Sequence, residues 1–234
     1  MNRSKSLMAA KLALSTALVM ASTMAINVYV PATRGYFNLG ECMIYLVALL
    51  FDPLTAAFAG GVGSALADIA LGYLIYAPAT LLIKATEGAV ASKLAKKIRA
   101  KGESILLPIA FLVVVGYFTL ILVIGYTLFA GEIEFSLANL FVVKGFLSPV
   151  TWIPIAFVAT LIPFYLTLKR RGEGLLIAAL LLSGLIMISG YFIYEQFILG
   201  YYALAEVPVN FGQAVLGTAI AIPLYKAVQK IRGA

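Results

Sequence analysis

Nearly uncharged apolar runs, each close to the length of a membrane span, recur through this chain and limit what it can fold into. Residues 7–29, 54–73, 105–129, 150–168, 175–199 and 209–228 each approach or exceed the length that carries a helix across a bilayer, about 20 residues. Two weaker runs join them: residues 39–51, too short for a perpendicular crossing and ended by Asp52-Pro53, and residues 79–95, which carry Lys84 and Glu87. The 234 residues are 63% hydrophobic and 12% charged, whereas soluble domains run at about 45–50% and about 25%. A water-soluble globule is therefore excluded, and eight helical segments account for almost the whole length. A cleaved signal peptide would explain the first run only poorly, because the run exceeds an apolar signal core of about 7–15 residues and no polar cleavage region follows. A retained helix is expected.

Charge placement gives an independent reading of topology. All of the 17 Lys and Arg residues except Arg34, Lys84 and Lys144 fall in residues 1–11, 93–101, 169–171 and 226–232. Eight alternating crossings put these four regions on one side, and basic residues accumulate on the cytoplasmic side. Both termini are then cytoplasmic, and the net charge of +7 follows from topology without a nucleic-acid partner. The chain has no histidine and one cysteine, Cys42. That excludes His-based zinc sites, His general bases, an internal disulfide and any CxxC site. No metal or cofactor is expected.

Small residues form two stripes. Ala9, Ala13, Ala17, Ala21 and Ala25 recur every four positions and make one narrow helix face, suited either to close packing inside the protein or to docking of another membrane protein. Gly60, Gly61 and Gly63 cluster in the third run. A phosphate loop needs a preceding strand and free amides at a helix start, so tight helix packing is the expected role. The GxxxxGK[ST] pattern is absent, which leaves any use of ATP to a partner.

Ionisable groups at membrane depth cost at least about 2.5–3.5 kcal/mol each at a helix centre, which makes them informative. The candidates are Asp68, Lys84, Glu87 and Glu195. In the eight-crossing topology Asp68, Lys84 and Glu195 lie in the outer third. Asn210 and Gln213 start the last helix from that side, and Arg34, Tyr36, Asn38 and Glu41 lie in or beside the outer loop. Lys84 and Glu87 share a helix face and can pair, so a structural ion pair competes with a binding role. Tyr73, Tyr76, Tyr191 and Tyr194 supply either aromatic walls for a flat polar molecule or an interfacial belt.

Two blocks carry a family resemblance. Gly35-Tyr36-Phe37-Asn38-Leu39-Gly40-Glu41, Ala48-Leu49-Leu50-Phe51-Asp52-Pro53, Gly60 to Asp68, Gly72-Tyr73, Pro78-Ala79-Thr80 and Lys84 with Glu87-Gly88 form the first. Gly190-Tyr191-Phe192 with Glu195, then Pro208-Val209-Asn210, Gln213 and Gly217, form the second. Together they resemble the substrate-binding S component of energy-coupling factor (ECF) vitamin transporters, the riboflavin type in particular. Glu41 stands where that pattern more often has Asp, and Asp52 and Thr86 where Gly is more usual.

The resemblance implies an all-α polytopic membrane protein with a six-helix core, one membrane domain over residues 1–234, in the plasma membrane. Residues 1–100 hold four core helices, residues 173–234 the last two, and residues 101–172 an inserted helical hairpin. It implies capture of a vitamin or precursor, riboflavin or a related heterocycle. It also implies association with a transmembrane coupling subunit and two ATPases, and no enzymatic activity. Carried over residue by residue, the substrate site takes in Tyr36, Asn38, Lys84, Glu195, Asn210 and Gln213, and the docking face Ala13, Ala17 and Ala21; the reading of polar and aromatic groups at membrane depth adds Glu41, Asp68, Tyr73, Glu87 and Tyr191 as candidates. The main alternative is an ion-coupled carrier relaying protons through Asp68, Lys84, Glu87 and Glu195. An intramembrane enzyme would need a second catalytic group that no motif supplies.

Overall fold

The computed structural model describes residues 3–30, 35–101, 111, 113–116, 118–119, 121–122, 131–137, 141–169 and 171–233. The chain runs α1 (Arg3–Ala25), β1 (Asn27–Val30), β2 (Gly35–Asn38), α2 (Gly40–Leu50), α3 (Pro53–Leu71) and α4 (Ala77–Lys101). The described positions among residues 111–122 are helical. After them come β3 (Gly131–Leu137), β4 (Phe141–Leu147), α5 (Trp152–Lys169), α6 (Arg171–Ile198), a short 3-10 turn at Gly200–Ala205 and α7 (Val207–Gly233). Among the described residues, the segments Lys5–Ala25, Pro53–Leu71, Gly172–Ile198 and Tyr202–Gly233 are long and apolar enough to cross a membrane. The chain is a predominantly helical, multi-pass membrane protein.

Helix α2 organises the bundle. Its 11 residues rise only about 16 Å, roughly half of a hydrocarbon core about 30 Å thick. Ile44, Tyr45, Ala48 and Leu49 are almost completely enclosed, because α1, α3, α4 and α7 all pack around the helix. A helix that stops at membrane depth must have its open backbone groups satisfied by protein, since lipid offers no hydrogen bonds. Here the Gly40 amide donates to Asn38 Oδ1 at 2.8 Å. At the other end Arg99 Nη2 donates to the Leu49 carbonyl at 2.8 Å, and Ser92 Oγ to the Phe51 carbonyl at 2.9 Å.

The Asp52-Pro53 break starts α3 as its chemistry demands. Asp52 caps the helix, accepting from the Thr55 amide at 3.0 Å, and Pro53 occupies the first turn, where no amide donor is needed. Lys11 lies 2.5 Å from the Asp52 carboxylate and holds that carboxyl well below the usual range. Lys226 pairs with Glu173 at 2.8 Å, and the Arg99 guanidinium sits over the Tyr225 ring. The basic residues and the ends of α2, α4 and α7 thus meet at one end of the bundle.

The glycine cluster is a packing device, as its sequence suggested. A Cβ on Gly61 would fall 2.6 Å from the Leu81 carbonyl, one on Gly60 2.8 Å from that of Lys84, and one on Gly88 2.5 Å from that of Ala56. Helices α3 and α4 therefore approach backbone to backbone. Gly61→Ala is expected to destabilise the protein by about 1–3 kcal/mol, because the obstructing atom is main chain and the helices must separate. Gly212→Ala, where the nearest atom to a new Cβ is the Phe37 ring at 3.6 Å, should not destabilise the protein and should add up to about 1 kcal/mol from helix propensity. Unfolding midpoints in mixed micelles would compare the two.

The first helix stops four residues before the end of its apolar run, and a sheet takes over. β1 and β2 pair antiparallel from Asn27↔Asn38 to Val30↔Gly35. β3 joins the other edge of β1 at Asn27↔Ser136 and pairs with β4 from Gly131↔Leu147 to Leu137↔Phe141, so the order is β2-β1-β3-β4. A small four-stranded sheet therefore joins the expected all-α framework. The polar connection between the two helices of the expected hairpin is a β-hairpin that reaches the α1–α2 connection. The outer parts of the run at 105–129, and Arg34, lie outside the described residues.

Candidate functional site

At the end of the bundle opposite the basic cluster, side chains from every core helix except α2, together with the β1–β2 hairpin, face one small cavity. Helix spacing explains how each element delivers two groups. Ser64 and Asp68 come from α3 and Thr80 and Lys84 from α4; Tyr191 and Glu195 come from α6, and Asn210 and Gln213 from α7. Within each pair the residues are three or four apart and share a face. Tyr36 and Asn38 come from β2, Thr23 from α1, and Tyr76 and Glu206 from just before α4 and α7.

The hairpin is latched shut at two points. Tyr36 Oη donates to Asp68 Oδ1 at 2.6 Å, and the Asn38 amide donates to Gln213 Oε1 at 3.1 Å. Burial, with the Asp68 charge next in importance, pushes the Tyr36 phenol well above its ordinary pKa, so it stays a donor. Its ring stacks on Tyr73 with centroids 4.3 Å apart. Gln213 Nε2 donates in turn to Asn210 Oδ1 at 3.0 Å, and Thr80 and Tyr191 share a hydrogen bond of 2.8 Å.

Beneath the cavity lies a buried charge triad. The Lys84 ammonium pairs with Glu41 Oε1 from α2 and stands 3.5 Å from Glu87 Oε2 one turn along α4. Tyr45 Oη donates to the other Glu87 oxygen at 2.8 Å, and the ammonium lies 5.5 Å from the centre of the Tyr191 ring. The pairing of Lys84 with Glu87 was readable from their spacing. Glu41 enters from a different helix.

Eight of the eleven expected substrate residues face the cavity: Tyr36, Asn38, Asp68, Lys84, Tyr191, Glu195, Asn210 and Gln213. Glu41 and Glu87 instead flank Lys84, and Tyr73 backs Tyr36. Thr23, Ser64, Thr80 and Glu206 also line the cavity; Ser64 and Thr80 lie inside the blocks that carry the resemblance, and nothing in the sequence pointed to Thr23 or Glu206 as site residues. A groove of about 430 Å³ runs outside α7 between Ile121, Trp152, Val158 and Leu216, and none of the ionisable site residues reaches it.

Ala9, Ala13, Ala17, Ala21 and Ala25 are all exposed on α1. Packing inside the protein uses the other face, where Ser15, Val19 and Thr23 are buried and Val19 lies against Gly63 of α3.

The family described as the ECF-type riboflavin transporter, S component, matches residues 4–151. The chain belongs to that family. The matched stretch carries the hairpin, Asp68 and the Lys84 triad, while Tyr191, Glu195, Asn210 and Gln213 lie beyond it. The chain is also 54% identical over 72 residues to a Pyrococcus woesei protein described as "Uncharacterized protein in gap 3'region". That match takes in 31% of this chain and 48% of the other, so the chain spans about half the length of that relative. No solved structure matches the chain.

Proposed function

We propose that this S component captures a vitamin or vitamin precursor, riboflavin or a related small heterocycle, from outside the plasma membrane. An ATP-driven assembly of a coupling subunit and two ATPases then completes import. The observation that carries this reading is the cavity: polar groups from six chain segments meet at the end away from the basic residues, under a hairpin fastened by Tyr36 and Asn38. With the basic end cytoplasmic, the cavity faces outward and both termini face inward.

The cavity holds about 40 Å³, far below the roughly 300 Å³ or more of a small-molecule site. Loading therefore requires the hairpin to lift and the Tyr36–Asp68 bond to be exchanged for bonds to ligand. Tyr36, Asn38, Asp68, Tyr191, Glu195, Asn210 and Gln213 take the ligand, with Lys84 at the floor between Glu41 and Glu87. Residues 101–172 are read as an addition to a six-helix core, whose strand β3 extends the lid sheet.

Radiolabelled riboflavin uptake tests the reading. Cells making this chain together with a coupling subunit and ATPases should accumulate the label, and cells making the chain alone should bind it without accumulation. Full uptake by the chain alone, driven by a proton gradient, would overturn the reading in favour of an ion-coupled carrier using Asp68, Lys84, Glu87 and Glu195.

A further inference from the structure

We propose that a crevice between α4 and α6, at the basic end of the bundle, binds an anionic phospholipid, with Lys97 taking the phosphate and the apolar walls taking an acyl chain. It stands apart from the substrate cavity, which lies at the opposite end.

Shape is the first line of support. Helix α4 ends and α6 begins at the basic end. Leu94, Lys97 and Ile98 of α4 face Leu175, Ala178 and Leu182 of α6 across a space of about 70 Å³. Within each set the residues are three, four or seven apart and share one flank of their helix. Leu175 to Leu182 spans about 10 Å along α6, so the crevice runs from the helix end into membrane depth. Leu175 and Ala178 form its floor at 0% and 4% exposure. Leu94 and Leu182 are half-buried and Lys97 is exposed, so the space opens outward where the ammonium stands. Close-packed interiors hold few voids larger than a water molecule. Among the described residues Lys97 is the one polar side chain on this lining; water lacks partners there and hydrocarbon does not. A helix about 10 Å across is too wide to enter, whereas a single chain of methylene groups fits.

Charge is the second, independent line. Among the described residues no carboxylate lines the crevice. Lys93 stands one turn before Lys97 on the same flank, and both are exposed. Asp52 and Glu173, carboxylates of this end, are engaged elsewhere, with Lys11 and Lys226. Two ammonium groups at the mouth of an apolar crevice match a phosphate joined to acyl chains, and basic pockets between membrane helices hold anionic headgroups on these terms. A free phosphate would meet the charges and leave the walls uncovered, and a zwitterionic lipid would do the reverse.

The test uses the purified full-length chain in dodecyl maltoside, with phosphatidylglycerol and phosphatidylcholine of identical acyl chains as probes and retention counted by native mass spectrometry. Phosphatidylglycerol should be retained at least about tenfold more strongly, and Lys97→Gln should cut that preference by about fivefold, the effect of one cation beside an anionic headgroup. Lys5→Gln removes an exposed cation on α1, which packs against α2 and α3, and should leave the preference as it is. Ala178→Leu fills the floor of the crevice and should weaken retention of both lipids by about tenfold, as for several methylene groups displaced from an apolar seat. Lys97→Gln alters only an exposed side chain and keeps the test standing if Ala178→Leu fails to fold. Equal retention of the two lipids overturns the inference. So does an equal loss of preference in Lys5→Gln and Lys97→Gln, which would make it a property of the whole basic end. Wild-type retention by Ala178→Leu also overturns it; if that variant instead loses co-purification with a coupling subunit, the crevice takes a partner's side chain and not lipid.

Discussion

Under the proposed function, Ala17→Trp is expected to leave riboflavin binding by the isolated protein unchanged and to reduce ATP-dependent uptake to the level of cells lacking the transporter. Helices in a bilayer gain little from burying apolar surface against one another, so their association depends on close van der Waals contact, which small residues permit. Ala9, Ala13, Ala17, Ala21 and Ala25 present such a surface on α1, and this chain leaves it exposed. Leu14 and Leu18 border it along one side at 65% and 44% exposure, giving a step with alanine at its floor. An indole at its centre holds an incoming helix several ångströms away and cancels the contact along the stripe. The cavity is out of reach of this change, because the opposite face of α1, carrying Val19 and Thr23, is the one that contacts the bundle. Binding is read by calorimetry, transport by radiolabel uptake in cells with the coupling subunit and ATPases. Loss of binding would return the stripe to internal packing, and unimpaired transport would leave it facing lipid.

How much of this was legible beforehand depends on whether the determining interaction was local. The Asp52-Pro53 break was readable because cap and proline act within one turn. The brevity of α2 was readable from the short run at 39–51. Its place at the centre of the bundle was not, since Arg99 and Ser92, which complete its end, lie far along the chain. The sheet was missed for a different reason. Glu132-Ile133-Glu134-Phe135-Ser136-Leu137 alternates polar with apolar, the period of a strand, but a search scaled to 20-residue spans reads it as a polar connection. Asn27 to Val30 likewise disappeared into the apolar run of α1. For the site, membrane-depth polarity identified Asp68, Lys84, Glu195, Asn210 and Gln213. Glu206 escaped because it sits at a helix approach, where a carboxylate is ordinary.

The Lys84 triad supplies the second large effect, and it separates structural from ligand-binding roles. Lys84→Met is expected to destabilise the protein by about 3–5 kcal/mol, the usual consequence of removing one partner from a buried ion pair. Methionine fills most of the space, so the loss comes from Glu41 and Glu87 being left enclosed, at 1% and 0% exposure, without their cation. Each glutamate has one oxygen without a hydrogen bond in the intact protein, Glu41 Oε2 and Glu87 Oε2, but Glu87 keeps the Tyr45 hydroxyl on its other oxygen, so Glu41 suffers more. Adding Glu41→Gln to Lys84→Met should therefore recover much of the stability, a coupling that two independent sites would not show. Unfolding midpoints of the wild type, both single variants and the double variant in mixed micelles give the cycle directly. An unchanged midpoint for Lys84→Met together with lost riboflavin binding would mean that the ammonium serves the ligand and that the two glutamates tolerate its absence.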